Sequence, residues 1–454
     1  MAVLAVVECV GLFLAFYLAA EMRFLGDNRE ILASLGEPLP RAFIFAATLS
    51  LALASLGLYQ SFARDTLAAL LTRVLVAFVL GGLVLMIAYY LLPTHHTGRG
   101  VLALALAAGF GMVVGIRTAL ARSADSEAVK RRVLVLGAGR RARLVLDRLR
   151  RAADRRNIEL VGFVPVGGDE IVVPERQRIS IEAGIKHIIE RHAVDEVVVG
   201  PDDRRGTLPM AELIELKLAG VSVVDLVSFF ERELGKLKLQ ILDPSWLVFS
   251  EGFAHGQVHL ATKRAFDVIA AAVGVVLALP LMLGTALAII LESGWRAPIF
   301  YRQERVGEGG RLFKIIKFRS MRTDAEKDGV ARWATANDDR VTRVGRVIRK
   351  LRFDELPQLF NVLRGEMSLV GPRPERPAFV AELSRQIPYY NLRHFVKPGV
   401  TGWAQLRYPY GASVEDAVEK LKFDLYYAKN QSLLFDALIA LQTVEVVLFG
   451  KGSR

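Results

Sequence analysis

The sequence has a single cysteine, Cys9, in 454 residues, so no intramolecular disulfide can form and nothing points to an oxidising compartment. Charge is scarce as well. Charged residues make up 23% against 52% hydrophobic, and the mean hydropathy is +0.33, which excludes an ordinary soluble chain. No Lys or Arg precedes the first apolar run, which argues against a cleaved signal peptide. His95 and His96 are adjacent and His187, His192, His255, His259 and His394 are scattered, so no metal-site spacing emerges. The charge that is present is biased to +12. A nucleic-acid binder would gather it in a soluble basic tail. Here it is interleaved with long apolar runs, so no nucleic acid is expected, and anionic headgroups and phosphorylated small molecules match better.

Four apolar runs fill the first 120 residues, at about 2–20, 42–62, 67–92 and 100–120. Each approaches the ~20 residues that a spanning helix needs. Arg122, Lys130, Arg131, Arg132, Arg140 and Arg141 follow the fourth run, whereas the first loop carries Glu21, Asp27, Glu30 and Glu37 against Arg23 and Arg29. The positive-inside bias therefore places the chain after residue 120 in the cytoplasm, with the N-terminus on the same side. Glu8, inside the first run, is expected to face the bundle interior as helix-packing glue.

From about 130 to 250 the pattern becomes short strands alternating with helices. VLVLG (133–137), LVGFVPV (160–166), VDEVVVG (194–200) and VSVVDL (221–226) read as strands of a parallel α/β unit. Gly137-Ala-Gly139-Arg-Arg-Ala142 is a near match to the dinucleotide fingerprint, but Asp169 and Glu170 come late for its ribose acid. A scaffold or regulatory module that keeps the turn geometry is the expectation. A fifth apolar run, Val268 to Leu291, contains Pro280 near its middle and is basic on both flanks. The proline bends the helix and the flanks lack asymmetry, which favours a helix–break–helix hairpin over a crossing.

Residues 352–374, RFDELPQLFNVLRGEMSLVGPRP, carry the chemistry. Asp354 and Glu355 stand ahead of Pro357 and a helical apolar run, at a helix entrance where the dipole favours anions. In isolation D-E-L-P reads as a helix cap. The surrounding cations change that reading: Lys317, Arg319, Arg343, Arg346, Arg349, Lys350 and Arg352 upstream, Arg373 and Arg376 downstream. A carboxylate pair among guanidinium groups suits attack on phosphorus, with arginines on the phosphate oxygens, a divalent cation screening the acids and one carboxylate as nucleophile. Arg343, Arg346 and Arg349 share a helix face, and for the first two a solvated or headgroup-facing role is the better reading.

KRAFDVIAA (263–271), ERVGEGGRLFKIIKFRSM (304–321), the DELPQLFN block, LVGPRPERP (369–377) and KPGVTGWAQ (397–405) occur in order. Together they resemble the bacterial sugar transferases, the monotopic phosphoglycosyl transferases that start lipid-linked glycan assembly, over roughly residues 255–454. The family often has Thr-Ser-Leu before the acids, where this chain has Leu351, Arg352 and Phe353.

The resemblance implies a mixed membrane protein. Its parts are a four-helix transmembrane bundle (1–122), a Rossmann-like α/β domain (130–250) and a mainly α monotopic catalytic domain (255–454) with a re-entrant helix at about 265–292, broken at Pro280. It implies Asp354 as the nucleophile on the sugar-bearing phosphate of a UDP-sugar and undecaprenyl or another polyprenyl phosphate as the acceptor. Mg2+ would be held by Asp354 and Glu355. Lys317, Arg319, Arg349, Arg373, Arg376 and Gln405 are the candidate phosphate or substrate contacts. The implied setting is the cytoplasmic face of a bacterial inner membrane, among lipids and as a homodimer, at the start of exopolysaccharide, capsule or O-antigen synthesis. Trp403 and Gln405 are expected on a tight loop facing the nucleotide or the interface, and the helix from Leu433 to Phe449 in the interface plane.

Two other readings stand beside this one. A membrane-anchored nucleotide-sugar oxidoreductase or dehydratase would use the Gly137 loop, but its usual Tyr-x-x-x-Lys pair is missing. A non-catalytic scaffold leaves the DELPQ and PRP blocks unexplained.

Overall fold

The structure, a computed structural model, describes residues 2–24, 37–56, 58–59, 67–91, 97–124, 130–149, 158–167, 169–181, 184–203, 208–253, 256–325, 339–408, 411 and 413–448. The charged first-loop residues Asp27, Arg29 and Glu30, with His95, His96 and His255, lie outside them, as do the side chains of Arg122 and Glu445. The chain divides into two compact units, Met1–Leu234 and Gly235–Arg454.

The first unit opens with four apolar helices: α1 (Ala2–Arg23), α2 (Pro38–Ser55), α3 (Leu67–Leu91) and α4 (Arg99–Ala124). By length and composition α1, α2 and α4 each have a stretch able to cross a membrane, and α3 contains a shorter apolar stretch, Arg73–Tyr89. Small residues let α1 and α4 approach closely. A Cβ at Gly11 would fall 2.2 Å from Met112 Sδ, and one at Gly109 2.9 Å from Leu12. Glu8 is buried between these helices, where Arg117 Nη2 donates to its Oε2 at 2.7 Å and Arg117 Nη1 donates to the Leu58 carbonyl at 2.9 Å. The acid and base neutralise one another where neither is hydrated.

A four-stranded parallel sheet follows, ordered β2-β1-β3-β4 from β1 (Arg131–Leu136), β2 (Ile158–Val164), β3 (Glu196–Val199) and β4 (Ser222–Asp225). Its β-branched interior residues, such as Val133, Val135, Val197 and Val198, are fully buried, as strands covered on both faces require. Helices α5 (Arg140–Arg148), α6 (Ile185–His192), α7 (Met210–Leu218) and α8 (Leu226–Leu234) connect or follow the strands.

Residues 235–250, assigned to the α/β domain from sequence, pack instead with the second unit. Trp403 Nε1 donates to the Gly235 carbonyl at 2.8 Å, Lys236 pairs with Glu419 at 2.7 Å, and Lys429 lies over the Trp246 ring on the short helix α9 (Pro244–Phe249).

The second unit is built on α10 (Gln257–Ser293). This helix is continuous through Pro280, so the break expected there is not found. A mid-helix proline removes one hydrogen bond and crowds the preceding turn, and the Ala- and Leu-rich flanks sustain the helix on both sides. At 1.5 Å per residue it is about 55 Å long.

The unit grips α10 along its length. Lys263 is buried against Asp436 at 2.6 Å, and Arg264 donates to the carbonyls of Val362 and Leu363 at 2.6 and 2.7 Å. Asp267 accepts from Ser368 Oγ and Leu369 N at 3.0 Å each. Near the other end Glu292 accepts from the N–H groups of Arg343 and Val344 at 2.8 and 3.1 Å. Between these holds an apolar stripe, including Ile269, Val276, Leu277, Leu283, Leu287 and Leu291, is exposed.

The hairpin β5 (Phe300–Val306) and β6 (Leu312–Phe318) comes next, then α11 (Arg343–Lys350), a 3-10 turn (Phe353–Glu355) and α12 (Gln358–Arg364). After them come β7 (Ser368–Val370), α13 (Pro377–Gln386), a 3-10 segment (Tyr390–Phe395) and β8 (Gly399–Thr401), parallel to β7. Helices α14 (Trp403–Arg407), α15 (Val414–Asn430) and α16 (Leu433–Leu448) complete the described unit.

Two sequence expectations change here. Trp403 is only 2% exposed and packs against Tyr426 and Phe435, so it belongs to the core and is not presented by a loop. In α16, Asp436 and Gln442 point inward; Asp436 binds Lys263 and Tyr427, so the polar side of this helix is buried in the unit and does not face an interface.

Candidate active site

Asn361, fully buried on α12, ties that helix to β6. Its Oδ1 accepts from the Ile316 N–H at 3.0 Å, and its Nδ2 donates to the Lys314 carbonyl at 2.8 Å. One residue further along the strand, Lys317 reaches Glu355 Oε1 at 3.1 Å. Arg373, from the loop after β7, reaches the same oxygen at 3.1 Å, and Arg352 lies 3.6 Å from it. Three cations from three segments thus converge on one carboxylate. Arg352 adopts φ 61, a left-handed conformation uncommon for a residue with a side chain, and it directly precedes the turn that carries the acids.

The two acids differ in surroundings. Burial pushes Glu355 up, but Lys317, Arg373 and Arg352 outweigh it and hold this carboxyl well below the usual range. Asp354 is 9% exposed; burial and the neighbouring Glu355 raise its pKa, against the pull of Lys317, Arg352 and Arg349. Its Oδ1 is buried without a hydrogen-bond partner and caps no helix, since α12 starts only after Pro357. The capping reading of Asp354 therefore has no hydrogen bond behind it. A buried, unsatisfied carboxylate oxygen is costly for stability and poised for a ligand.

Cations line the adjoining cleft. Arg305, Lys317, Gln358, Arg373, Pro374, Gly399 and Ile315 border it. Burial lowers the pKa of Lys317, which Glu355 opposes, and lowers Arg305 to about 10; Glu355 raises that of Arg373. A wider surface hollow between Ser384 and Leu392 contains neither acid of the dyad nor these cations.

The other expected residues divide. Arg349 is half-buried and close enough to Asp354 to lower its pKa, while Arg343 and Arg346 on the same helix are exposed. Arg319 is buried at the end of β6, and its Nε and Nη2 have no hydrogen-bond partner among the described residues. Arg376 stands near enough to Arg305 to depress its pKa. Gln405 sits beside Trp403 on α14, and no hydrogen bond joins it to the dyad. Sequence reasoning missed the site roles of Arg305 and Asn361. Their signals were a basic residue on the hairpin strand paired with that of Lys317 and the Asn that ends DELPQLFN.

The glycine loop of the sheet is a second place to look for a phosphate. Gly137 has φ +117, and a Cβ there would meet the Gly200 backbone at 2.8 Å. The N-terminus of α5, where a dinucleotide phosphate would bind, holds the Asp202 carboxylate instead. Asp202 accepts from Arg140 N at 2.9 Å and Arg141 N at 2.8 Å. A Cβ at Gly139 would fall 2.1 Å from its Oδ2. Asp169 braces the arrangement by accepting from Ala138 N at 2.7 Å and Asp202 N at 2.9 Å.

Comparison with known proteins agrees with the geometry of the second unit. Residues 258–450 match the family model described as bacterial sugar transferase. The chain is 45% identical over 242 residues to a UDP-N-acetylgalactosamine-undecaprenyl-phosphate N-acetylgalactosaminephosphotransferase of Aeromonas hydrophila, covering 53% of this chain and 56% of that protein. It therefore spans about half the length of that relative. A putative undecaprenyl-phosphate N-acetylgalactosaminyl 1-phosphate transferase of Bacillus subtilis is 51% identical over 135 residues, 30% of this chain and 74% of that one. A UDP-glucose:undecaprenyl-phosphate glucose-1-phosphate transferase of Caulobacter vibrioides is 47% identical over 188 residues, 41% and 69%. With most of two such relatives covered at this identity, and with the DELPQ acids set among Lys317, Arg352 and Arg373, the chain belongs to the bacterial sugar transferase family.

Proposed function

We propose that this protein moves a sugar 1-phosphate from a UDP-sugar to a polyprenyl phosphate such as undecaprenyl phosphate. The observation that carries the reading is the pairing of an unpartnered, buried Asp354 with a Glu355 already neutralised by cations. Asp354 attacks the phosphorus that bears the sugar; the bond from that phosphorus to the uridine monophosphate oxygen breaks, and the nucleotide leaves. A polyprenyl phosphate oxygen then attacks the same phosphorus, the aspartyl–phosphorus bond breaks and Asp354 is regenerated. Lys317 and Arg373 are already arrayed beside the acids, and with Arg319 and Arg349 they stabilise charge on the phosphate oxygens. Fixed donors of this kind need no rearrangement as charge develops.

The chain has a donor set suited to Mg2+. Asp354 offers a free oxygen beside Glu355, and Mg2+ commonly takes one or two carboxylates and completes its shell with water and substrate phosphate. When bound it would screen the negative charge that the donor's diphosphate brings next to the acids.

Which sugar is moved is a separate matter. Relatives named for N-acetylgalactosamine and for glucose stand at similar identity to this chain. The reading is tested by incubating the purified protein with polyprenyl phosphate and a panel of UDP-sugars. Release of uridine monophosphate dependent on one sugar is expected; none from any member of the panel would overturn it. The same protein should show no saturable NAD or NADP binding by calorimetry, because Asp202 fills the phosphate seat. Tight binding would revive the oxidoreductase alternative.

Topology follows from the chemistry. A soluble donor and a lipid acceptor meet without either charge entering hydrocarbon if α10 enters and leaves by the cytoplasmic face of the inner membrane. Attachment of both Lys263 and Glu292 to the same unit supports this arrangement. With Cys9 replaced, single cysteines at positions 258 and 298 should both resist an impermeant thiol reagent in intact cells and both react in inverted vesicles. Labelling from opposite faces would mean that α10 crosses.

A further inference from the structure

The loop that delivers Arg373 cannot hold its own shape. Pro372 and Pro374 contribute no N–H groups, so its carbonyls must be satisfied from elsewhere. Four outside donors do this: Gly399 N to the Pro372 carbonyl at 2.9 Å, Arg393 Nη2 to that of Arg373 at 3.0 Å, Arg305 Nη1 to that of Pro374 at 3.1 Å and Val306 N to that of Glu375 at 3.0 Å. Two of the four are backbone groups and Arg305 lines the cleft itself. Arg393 is the one side-chain donor of the four that stands outside the cleft.

Arg393 is built for a fixed position. It is 5% exposed, its Nη2 lies 2.8 Å from Asp424 Oδ2, and its Nη1 donates to Tyr390 Oη at 2.7 Å. Asp424 and Tyr390 are themselves buried. A guanidinium can make these contacts together because its donors form a rigid planar fork, whereas an ammonium is a point charge. Asp424 supplies the countercharge without which such burial would be prohibitive.

We propose that Arg393, seated on Asp424 and Tyr390, is a positioning residue that fixes the Arg373 backbone so that its guanidinium meets Glu355. This rests on the transferase reading above for its effect on turnover, though not for its structural effect. Arg373 has a half-exposed side chain whose reach to Glu355 depends on where its backbone is held. The carbonyl anchor behind it fixes that backbone.

Two independent measurements on the full-length protein test the idea. In the first, Arg393→Ala lowers the rate of uridine monophosphate release by about 100-fold, the scale expected from misplacing a catalytic group by about 1 Å, and Arg393→Lys recovers only part of it. Added to Arg373→Ala, Arg393→Ala causes no further loss, because both act through one guanidinium. Losses that multiply would overturn the proposal.

The second readout needs no turnover. Phenylglyoxal modification of Arg373, mapped by mass spectrometry, should be several-fold faster in Arg393→Ala than in wild type, at matched circular dichroism. Equal rates would overturn the proposal. If Arg393→Ala fails to fold, Arg393→Lys and Asp424→Asn carry the same measurement with the same two outcomes. A wild-type protein that releases no nucleotide defeats the transferase reading alone, since the labelling arm still decides the role of Arg393.

Discussion

Asp354→Asn leaves a folded, membrane-bound protein whose turnover falls by several orders of magnitude and whose thermal stability at neutral pH is equal to or above that of wild type. Asparagine keeps the shape and hydrogen-bonding capacity of the side chain but has no anionic oxygen to attack phosphorus. Stability moves the other way because the pKa of Asp354 is raised in the folded protein, chiefly by burial and then by Glu355. A carboxyl with a raised folded pKa favours folding while it is protonated. That contribution is complete below its unfolded value, about 3.9, and is lost as pH rises through the folded value. At neutral pH the ionised Asp354 is therefore a burden that asparagine removes. Melting curves and initial rates on the same preparation check both halves, and near-normal turnover would sink the nucleophile assignment. In wild type, activity should fall on acidification at a pH above the ordinary aspartate range.

Glu355→Gln is expected to lose both turnover and stability. Its folded pKa is depressed, so its contribution to stability is present above the unfolded value, about 4.3, and is lost only as pH falls through the folded one. Glutamine would leave Lys317, Arg373 and Arg352 around a neutral amide, at a cost of about 3 kcal/mol on the scale of a broken buried pair. With their anchor gone, Lys317 and Arg373 no longer hold the phosphate-facing geometry, and a loss of about 100-fold or more is expected. Because Glu355 raises the pKa of Asp354, the acid limb of the rate profile should move to lower pH in any residual activity. A variant melting with wild type would show that the three cations do not depend on Glu355.

Much of this arrangement is legible in the sequence. Asp354, Glu355, Lys317 and Arg373 lie in short blocks whose residue types already imply phosphate chemistry, and the structure brings those four together. The strands at 131–136 and 158–164 followed from β-branched runs, and the apolar helices from their length. What escaped depends on contacts between segments far apart in the chain. Arg393 and Asp424 are unremarkable in sequence and meet only because a 3-10 segment packs on α15. Asp202 is one more loop acid until the parallel sheet aligns it with the start of α5. Trp403 sits in a glycine-rich motif that suggests exposure, yet Tyr426 and Phe435 enclose it. The inward face of α16 is explained by Lys263, more than a hundred residues earlier. Local pattern carries no information about such partners.

The grip on α10 bears on which membranes suit this protein. A helix that crosses a bilayer has to match its hydrocarbon thickness, and it tilts or deforms the lipid when it does not. Under the one-face reading, α10 has no far end to place, because Lys263 and Glu292 are fastened to the same unit. Its fit then depends on how readily one leaflet's chains part around the exposed stripe from Ile269 to Leu291, and not on the full span. Acyl-chain order would matter to this element more than acyl-chain length. Sensitivity to length falls to α1–α4, which carry no residue of the acid dyad or its cations.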